Sequence, residues 1–465
     1  MASAAHIKVA FGDGQTPACA GGGNKKEELN IMLPGARIQA VIELLANIIA
    51  EPRPADSTMS AFYRDRRFIG SKDRGAITTR TWRVVRTYHR LSWWIKRSGH
   101  EVNERTLVIA DLMFEREHSI SSIENSFSGE RFMPEPLTEK ELKLAQALDK
   151  QNLEHPHIPL REKTECPEWA FEKLQASLGD GYEAEMKAML TPAPMDLRVN
   201  LIKANRDDVF AKLKEDGLDV QLGTLAPNSI RVFGRPQIAQ HPLYMNGSIE
   251  VQDEGSQMIA VAADAKPGEQ VVDFCAGAGG KTLALAASMN NKGRIVAADV
   301  LEKRLEKAKL RFRRAGVHNI ETRPLTSERD KWVKRQQGHF DLVLIDAPCT
   351  GTGTWRREPD KRWRTLGPKM DELILLQRSI LESAYRLVKG GGRLVYATCS
   401  LLAEENEKQI EIFLEHHKDF EPAGAFLKLT PAQHDTDGFF AAVLTRKKDI
   451  VAPAEESPQE SAADE

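Results

Sequence analysis

The stretch VVDFCAGAGGKTLALAASM, residues 271–289, runs from a short apolar segment through a glycine-rich turn into a helix-forming segment. A strand followed at once by glycines and a helix brings bare backbone N–H groups to a ligand at the helix N-terminus. Two nucleotide-binding readings fail on spacing. Gly280-Lys281-Thr282 could close a phosphate loop, but such a loop needs a glycine five positions before Gly280, where Cys275 stands. A dinucleotide loop fits Gly277 and Gly279 but needs a third glycine where Thr282 stands. The backbone along Cys275, Ala276, Gly277, Ala278, Gly279, Gly280 and Lys281 therefore reads as a cradle for a small adenosine cofactor without a pyrophosphate.

Outward from this stretch the pattern alternates. RIVAADV, FDLVLIDAP, RLVYATCS and FFAAVLTRKK read as strands, with helix-forming segments between them. The fold class that follows is α/β, with a mostly parallel, doubly wound Rossmann-like sheet whose ligands bind at the carboxyl ends of the strands. Asp299 ends RIVAADV, 19 residues past Gly280. A carboxylate there can accept hydrogen bonds from both ribose hydroxyls, or it can cap the helix that begins at Leu301.

Two further strand ends carry thiols. DAPCTGTGTWRREPDKRWR, residues 346–364, places Asp346 and then Cys349 on a loop, followed by Arg356, Arg357 and Arg362 interleaved with Trp355 and Trp363. Guanidinium groups pair with phosphate oxygens and indoles stack on bases, so this segment is a candidate RNA contact; the alternative is a charged loop with two core tryptophans. In YATCSLLAEENE, Cys399 ends a strand ahead of a helix, where a thiol pKa can be lowered; the alternative is a core cysteine. The five cysteines contain no CxxC pair, so neither a metal site nor a disulfide framework is indicated, and Cys19 and Cys166 read as small buried hydrophobes.

The rest of the chain divides by composition. Residues 1–30 read as a loose extension, 31–155 as a helical domain, 165–245 as a small α+β insert, 246–448 as the Rossmann-like domain and 449–465 as a disordered acidic tail. Between Ala61 and His100 there are 11 Lys/Arg against 2 Asp/Glu, although the net charge of the chain is only -2. RGAITTRTWRVVRTYHRLSWWIKR reads as one uninterrupted helix, with Arg83, Arg86 and Arg90 on one face and Val84, Val85, Tyr88 and Leu91 on the other. Those arginines are candidate phosphate contacts, or a solvated basic face. No apolar run approaches a membrane span and no signal peptide is evident, so a cytoplasmic protein without membrane or metal is expected.

DFCAGAGGKT, DAPCTGTG and YATCSLLAEEN, in this order, closely resemble the Sun/Fmu (RsmB-like) family of RNA cytosine-5 methyltransferases, as do VQDEGSQMIA and DGFFAAVLTR. The resemblance runs from about 245 to 446; the front domain more weakly resembles a NusB-like RNA-binding domain. It implies S-adenosyl-L-methionine as cofactor, Cys399 as the nucleophile that adds to carbon 6 of cytosine, Asp346 on the base edge and the cofactor, Cys349 in release, and Asp299 on the ribose. It further implies an RNA partner, ribosomal RNA first and transfer RNA second, and a monomer. Two positions depart from the family pattern. Ala278 replaces a proline, and no Asp stands by Leu325–Thr326, where the family places an adenine contact. Outside this class, the alternatives are a non-catalytic RNA-binding assembly factor and a methyltransferase acting on protein or a small molecule. Neither requires the two thiols together.

Overall fold

The computed structural model describes residues 32–115, 118–234, 236–364 and 366–448. Cys19, the N-terminal extension and the acidic tail from 449 onward lie outside these residues. The front of the chain is helical, beginning with Pro34–Ala50 and ending with Glu139–Leu148. Its core is formed by residues such as Leu44, Ile48, Ile77, Val84, Leu107 and Leu144, all buried. The helix expected to run unbroken through Thr87 is two helices, Ser71–Arg86 and Tyr88–Arg97. Thr87 turns to φ -115°, ψ 18°, and its hydroxyl donates to the Arg83 carbonyl, an alternative to the helical ladder that bends the chain.

Four short strands follow: β1 (Met195–Val199), β2 (Val220–Leu222), β3 (Ser229–Val232) and β4 (Ile249–Val251). They form an antiparallel sheet in the order β2-β3-β1-β4. The insert therefore extends past the expected limit of 245, because β4 pairs with β1 through Leu197–Val251, Arg198–Glu250 and Val199–Ile249.

The second sheet holds β5 (Gln270–Asp273), β6 (Arg294–Asp299), β7 (Ile320–Pro324), β8 (Phe340–Asp346), β9 (Val388–Thr398), β10 (Phe420–Pro422), β11 (Leu427–Leu429) and β12 (Phe439–Arg446). Its order is β10-β12-β9-β8-β5-β6-β7, with β11 on β12. The five strands β5 to β9 are parallel, and β12 runs antiparallel against β9. From β5 the chain moves outward to β7, then returns to place β8 on the other side of β5. The order reverses there, and a crevice opens beyond the carboxyl ends of β5 and β8. Residues of the central strands such as Val271, Val296, Leu342, Val343 and Val395 are wholly buried, as strands covered by helices on both faces require.

Candidate active site

The glycine turn leaves β5 and enters the helix Gly280–Ser288. Gly279 sits at φ +78°, and a Cβ there would lie 2.4 Å from the Phe312 ring, so only glycine fits. The Gly277 N–H donates to Asp299 at 2.7 Å, and the Leu301 N–H donates to the other Asp299 oxygen at 2.7 Å. Asp299 thus ties the turn to the start of the neighbouring helix, Glu302–Ala315. Two arginines that the motifs did not reveal hold the turn from outside. Arg198 of β1 donates to the Gly280 carbonyl at 2.7 Å, and Arg311 donates to the Ala278 carbonyl at 2.7 Å.

At the end of β5, Asp273 is fully buried and accepts from Thr282 at 2.6 Å, while its other oxygen has no partner among the described residues. Burial pushes its pKa up to about 7. Burial and the Asp299, Asp346 and Asp273 carboxylates hold the Cys275 thiol well above its ordinary value, so it is a neutral wall of the turn.

The β8 end carries Asp346, whose carboxylate pairs with Lys281 at 2.7 Å and remains one-third exposed. Burial alone would lower the Lys281 pKa, but Asp346 raises it, so the ammonium persists. Beyond Asp346 the chain brings Cys349 to 3.4 Å from Cys399, Sγ to Sγ, across the ends of β8 and β9. The bond to Cys399 and then burial push the Cys349 thiol well up. A positive φ of 70° at Gly351 lets the loop turn here. A Cβ on that residue would meet the Lys361 ammonium at 3.5 Å and Cys399 Sγ at 4.0 Å, so a cation lies close to the thiol pair.

Glu405, fully buried, organises both thiol loops. It accepts from the Thr350 N–H at 2.9 Å and the Thr350 hydroxyl at 2.6 Å, from Gln377 at 3.0 Å, and from the Ser400 hydroxyl. Thr350 follows Cys349 and Ser400 follows Cys399, so one carboxylate fixes the residue after each thiol. In the sequence this residue is only one acid of the AEEN run; its reach across to Thr350 needs the tertiary fold.

The candidate RNA-contacting arginines lie elsewhere than expected. Arg83 pairs with Asp111 and Glu115, and Arg90, 6% exposed, with Glu154 and Glu165. Arg86 donates to the Arg356 carbonyl at 2.8 Å. Arg356 is 2% exposed on Asp437 and Asp435, and Arg357 binds Asp437 and Asp253. Arg362, 2% exposed, donates to the carbonyls of Thr164, Glu165 and Met189. Trp355 is buried, and Trp363 stacks on Tyr88 at 4.3 Å. This segment is the tie between the helical front, the insert and the Rossmann-like domain; Arg356 and Arg362 are buried in it, and Arg357, one-third exposed, is paired with Asp253 and Asp437.

Cys166 is buried as expected, with its thiol raised to about 11 by burial. By Leu325–Thr326 there is no acid; the nearest that bonds to the stretch is Asp330, which caps the helix Lys331–Arg335. Asp330 accepts from the Thr326 N–H at 2.9 Å and hydroxyl at 2.8 Å, and backbone donors hold it down at about 2. Among the described residues no helix is long and apolar enough to cross a membrane, and no cluster of His, Cys, Asp or Glu is placed to hold a metal ion.

A doubly wound sheet with a glycine turn and an acidic second strand end at its switch point defines a Rossmann-like methyltransferase, whose cofactor is S-adenosyl-L-methionine. The family described as 16S rRNA methyltransferase RsmB/F matches residues 260–445, and the ferredoxin-like domain of RsmF/B-like methyltransferases matches 166–238. The probable ribosomal RNA small subunit methyltransferase B of Bacillus subtilis is 32% identical over 312 residues, covering 63% of this chain and 69% of that protein. The crystal structure of PH0851 superposes with a TM-score of 0.73 at 29% identity, covering 89% of this chain and 99% of that one. A methyltransferase homologue from Pyrococcus horikoshii gives 0.54 at 31% identity, covering 62% and 97%. The chain belongs to the RsmB/F methyltransferase family.

Proposed function

We propose that this chain methylates carbon 5 of a cytosine in small-subunit ribosomal RNA, with Cys399 as the nucleophile. The observation that carries the reading is the pair of thiols 3.4 Å apart beside the Lys281–Asp346 ion pair. The matched relatives, named as small-subunit ribosomal RNA methyltransferases, support the choice of RNA. Carbon 5 of cytosine is a poor nucleophile, and two thiols serve a reaction that must form a covalent bond and then break it.

The glycine turn from Cys275 to Lys281, with Asp299 and the unpartnered oxygen of Asp273, would hold S-adenosyl-L-methionine, which supplies a methyl group on a sulfonium. Cys399 as thiolate adds to carbon 6 of the extruded base, and the displaced π electrons make carbon 5 nucleophilic. Asp346, held by Lys281, lies against the base edge and favours a proton on ring nitrogen 3, which drains the developing charge. After methyl transfer the proton on carbon 5 must leave. Cys349, which has released its own proton to solvent once Cys399 is tied to carbon, takes it as thiolate; the electrons left behind restore the carbon 5–carbon 6 double bond, the carbon 6–sulfur bond breaks, and Cys399 departs as thiolate. The raised pKa of Cys349 fits this order: it keeps its proton while it bonds to the Cys399 sulfur, and sheds it to become a base only once that sulfur is tied to carbon and no longer charged.

The test is to supply methyl-labelled cofactor and total RNA from cells lacking the protein, digest to nucleosides and locate the label. Label in 5-methylcytidine of small-subunit ribosomal RNA is expected. Label in another nucleoside would refute the chemistry, and label in transfer RNA would refute the substrate.

A further inference from the structure

A cavity of about 630 Å³ opens beside Cys349. One wall is Trp169 and Lys173, one turn apart on the insert helix Glu168–Leu178. The Pro348–Thr350 loop, Leu373 and Leu376 also line the cavity, together with Lys361, Arg364 and Lys369. Four cationic side chains thus face one carboxylate, Asp371. The cofactor does not account for this space, because Lys281, Asp299 and the glycine turn do not line it, and of the residues placed on the target base Cys349 lines it while Cys399 and Asp346 do not.

We propose that the cavity binds the nucleotide next to the target cytosine in the RNA strand, its base against Trp169 and its phosphate on Lys173 and Lys369. This rests on the proposed function, since it needs an extruded cytosine at Cys399. A base leaves its stack only if the strand beside it is held, and single-stranded bases are held by aromatic faces and backbone phosphates by cations. Trp169 is 43% exposed, and its ring is set edge-on against the buried Trp355, 6.4 Å away. An indole held by a neighbour and open to a cavity is a ready stacking surface. Lys361 and Arg364 are already engaged, by Glu358 and by Asp360 with the Glu51 and Arg53 carbonyls. Among the described residues no carboxylate pairs with Lys173 or Lys369, so their charges are open to a phosphate. The insert thereby supplies half of a site whose other half is the Cys349 loop.

The experiment uses the full chain and an unmodified transcript of small-subunit ribosomal RNA, with KM for RNA, kcat and the salt dependence of RNA binding measured. Loss of one base stack corresponds to about 5- to 150-fold in affinity, so Trp169→Ala should raise KM for RNA within that range. Trp169→Phe should recover most of the loss. Lys173→Ala with Lys369→Ala should flatten the slope of log affinity against log salt by about 0.7 per lysine. Affinity for S-adenosyl-L-methionine, read by calorimetry, should not change in any variant; a loss there would mean a misfolded site and would overturn the assignment. A KM for Trp169→Ala within about twofold of the parent, with an unchanged salt slope, would also overturn it while leaving RNA methylation intact. If the parent chain puts no methyl group on cytosine of any RNA, the proposed function fails and the subsite falls with it.

Discussion

Two sulfur atoms 3.4 Å apart cannot both be ionised at neutral pH, because each charge raises the cost of the other. The structure breaks the symmetry between them: Cys349 is the one pushed up, by its bond to Cys399 and by burial. Their separation is set by Glu405, which binds the residue after each thiol. Glu405→Gln keeps the shape but replaces one acceptor oxygen with an amide N–H, a donor turned towards donors. It should cost about 1.5–3 kcal/mol of stability by urea unfolding. Methyl transfer should slow while cofactor affinity stays, since Glu405 touches neither the glycine turn nor Asp299. A variant with parental stability and turnover would contradict the positioning role. At this scale the sequence is informative where a site is local. Cys275 to Lys281, Asp346, Cys349 and Cys399 each lie at a strand end, and a strand end can be read from a contiguous run. Arg198, Arg311 and Glu405 are not legible, since each acts on a residue at least 33 positions away. The arginines escape for a related reason: a helical wheel places Arg83 on a face but says nothing of Asp111 and Glu115 lying across from it.

Among the elements, the segment after Cys349 has a double role. Its first residues shape the thiol site, and its later ones clamp the helical front to the catalytic domain. Trp363 lies parallel to Tyr88 with 12° between the rings, and its indole N–H donates to the Val85 carbonyl at 3.1 Å. Asp360 accepts from the Ala55 N–H at 3.0 Å. Trp363→Ala removes a stacked pair worth about 0.5–1.5 kcal/mol beyond its buried area. Amide exchange in the helices Ser71–Arg86 and Tyr88–Arg97 should accelerate in that variant. Unchanged protection there would mean that this segment is not the tie. Strands β5, β6, β8, β9 and β12 are readable because buried strands are short apolar runs bounded by glycine, proline or charge, whereas β7, β10 and β11, with exposed or charged residues in short segments, are not. The three-residue β2 and β4 are not, because their pairing with β3 and β1 defines them more than their own composition does. The bend at Thr87 is equally hidden: one β-branched hydroxyl competing for a carbonyl leaves no mark on helical periodicity.

In the molecule as a whole, the front helices meet the insert through Arg90 and Glu165. His89 lies there near Arg161, Arg362 and Lys96, and burial pushes its pKa down from 6.5 to about 4. A depressed histidine is neutral in the folded chain. Its contribution is present above about pH 6.5 and is lost as pH falls towards 4, where the unfolded chain takes up a proton and the folded chain does not. Between about pH 7.5 and 5 this amounts to roughly 2 kcal/mol. His89→Gln should remove that part of the acid sensitivity, seen as a smaller difference in unfolding free energy between the two pH values than in the parent chain. An equal difference in both proteins would contradict the assignment. The layered order of helical front, antiparallel insert and parallel sheet is legible from composition and pattern, but the way the arginine-rich segment knits the layers together is not.

The central claim, that Cys399 forms the bond to RNA and Cys349 releases it, is tested most directly by trapping the covalent complex. Parent, Cys349→Ala and Cys399→Ala chains are incubated with unmodified small-subunit ribosomal RNA and S-adenosyl-L-methionine, and a denaturing gel is probed for protein that migrates with RNA. The predicted result is an adduct that accumulates in Cys349→Ala and is absent in Cys399→Ala. An adduct that persists without Cys399, or turnover undiminished by its loss, would contradict the account.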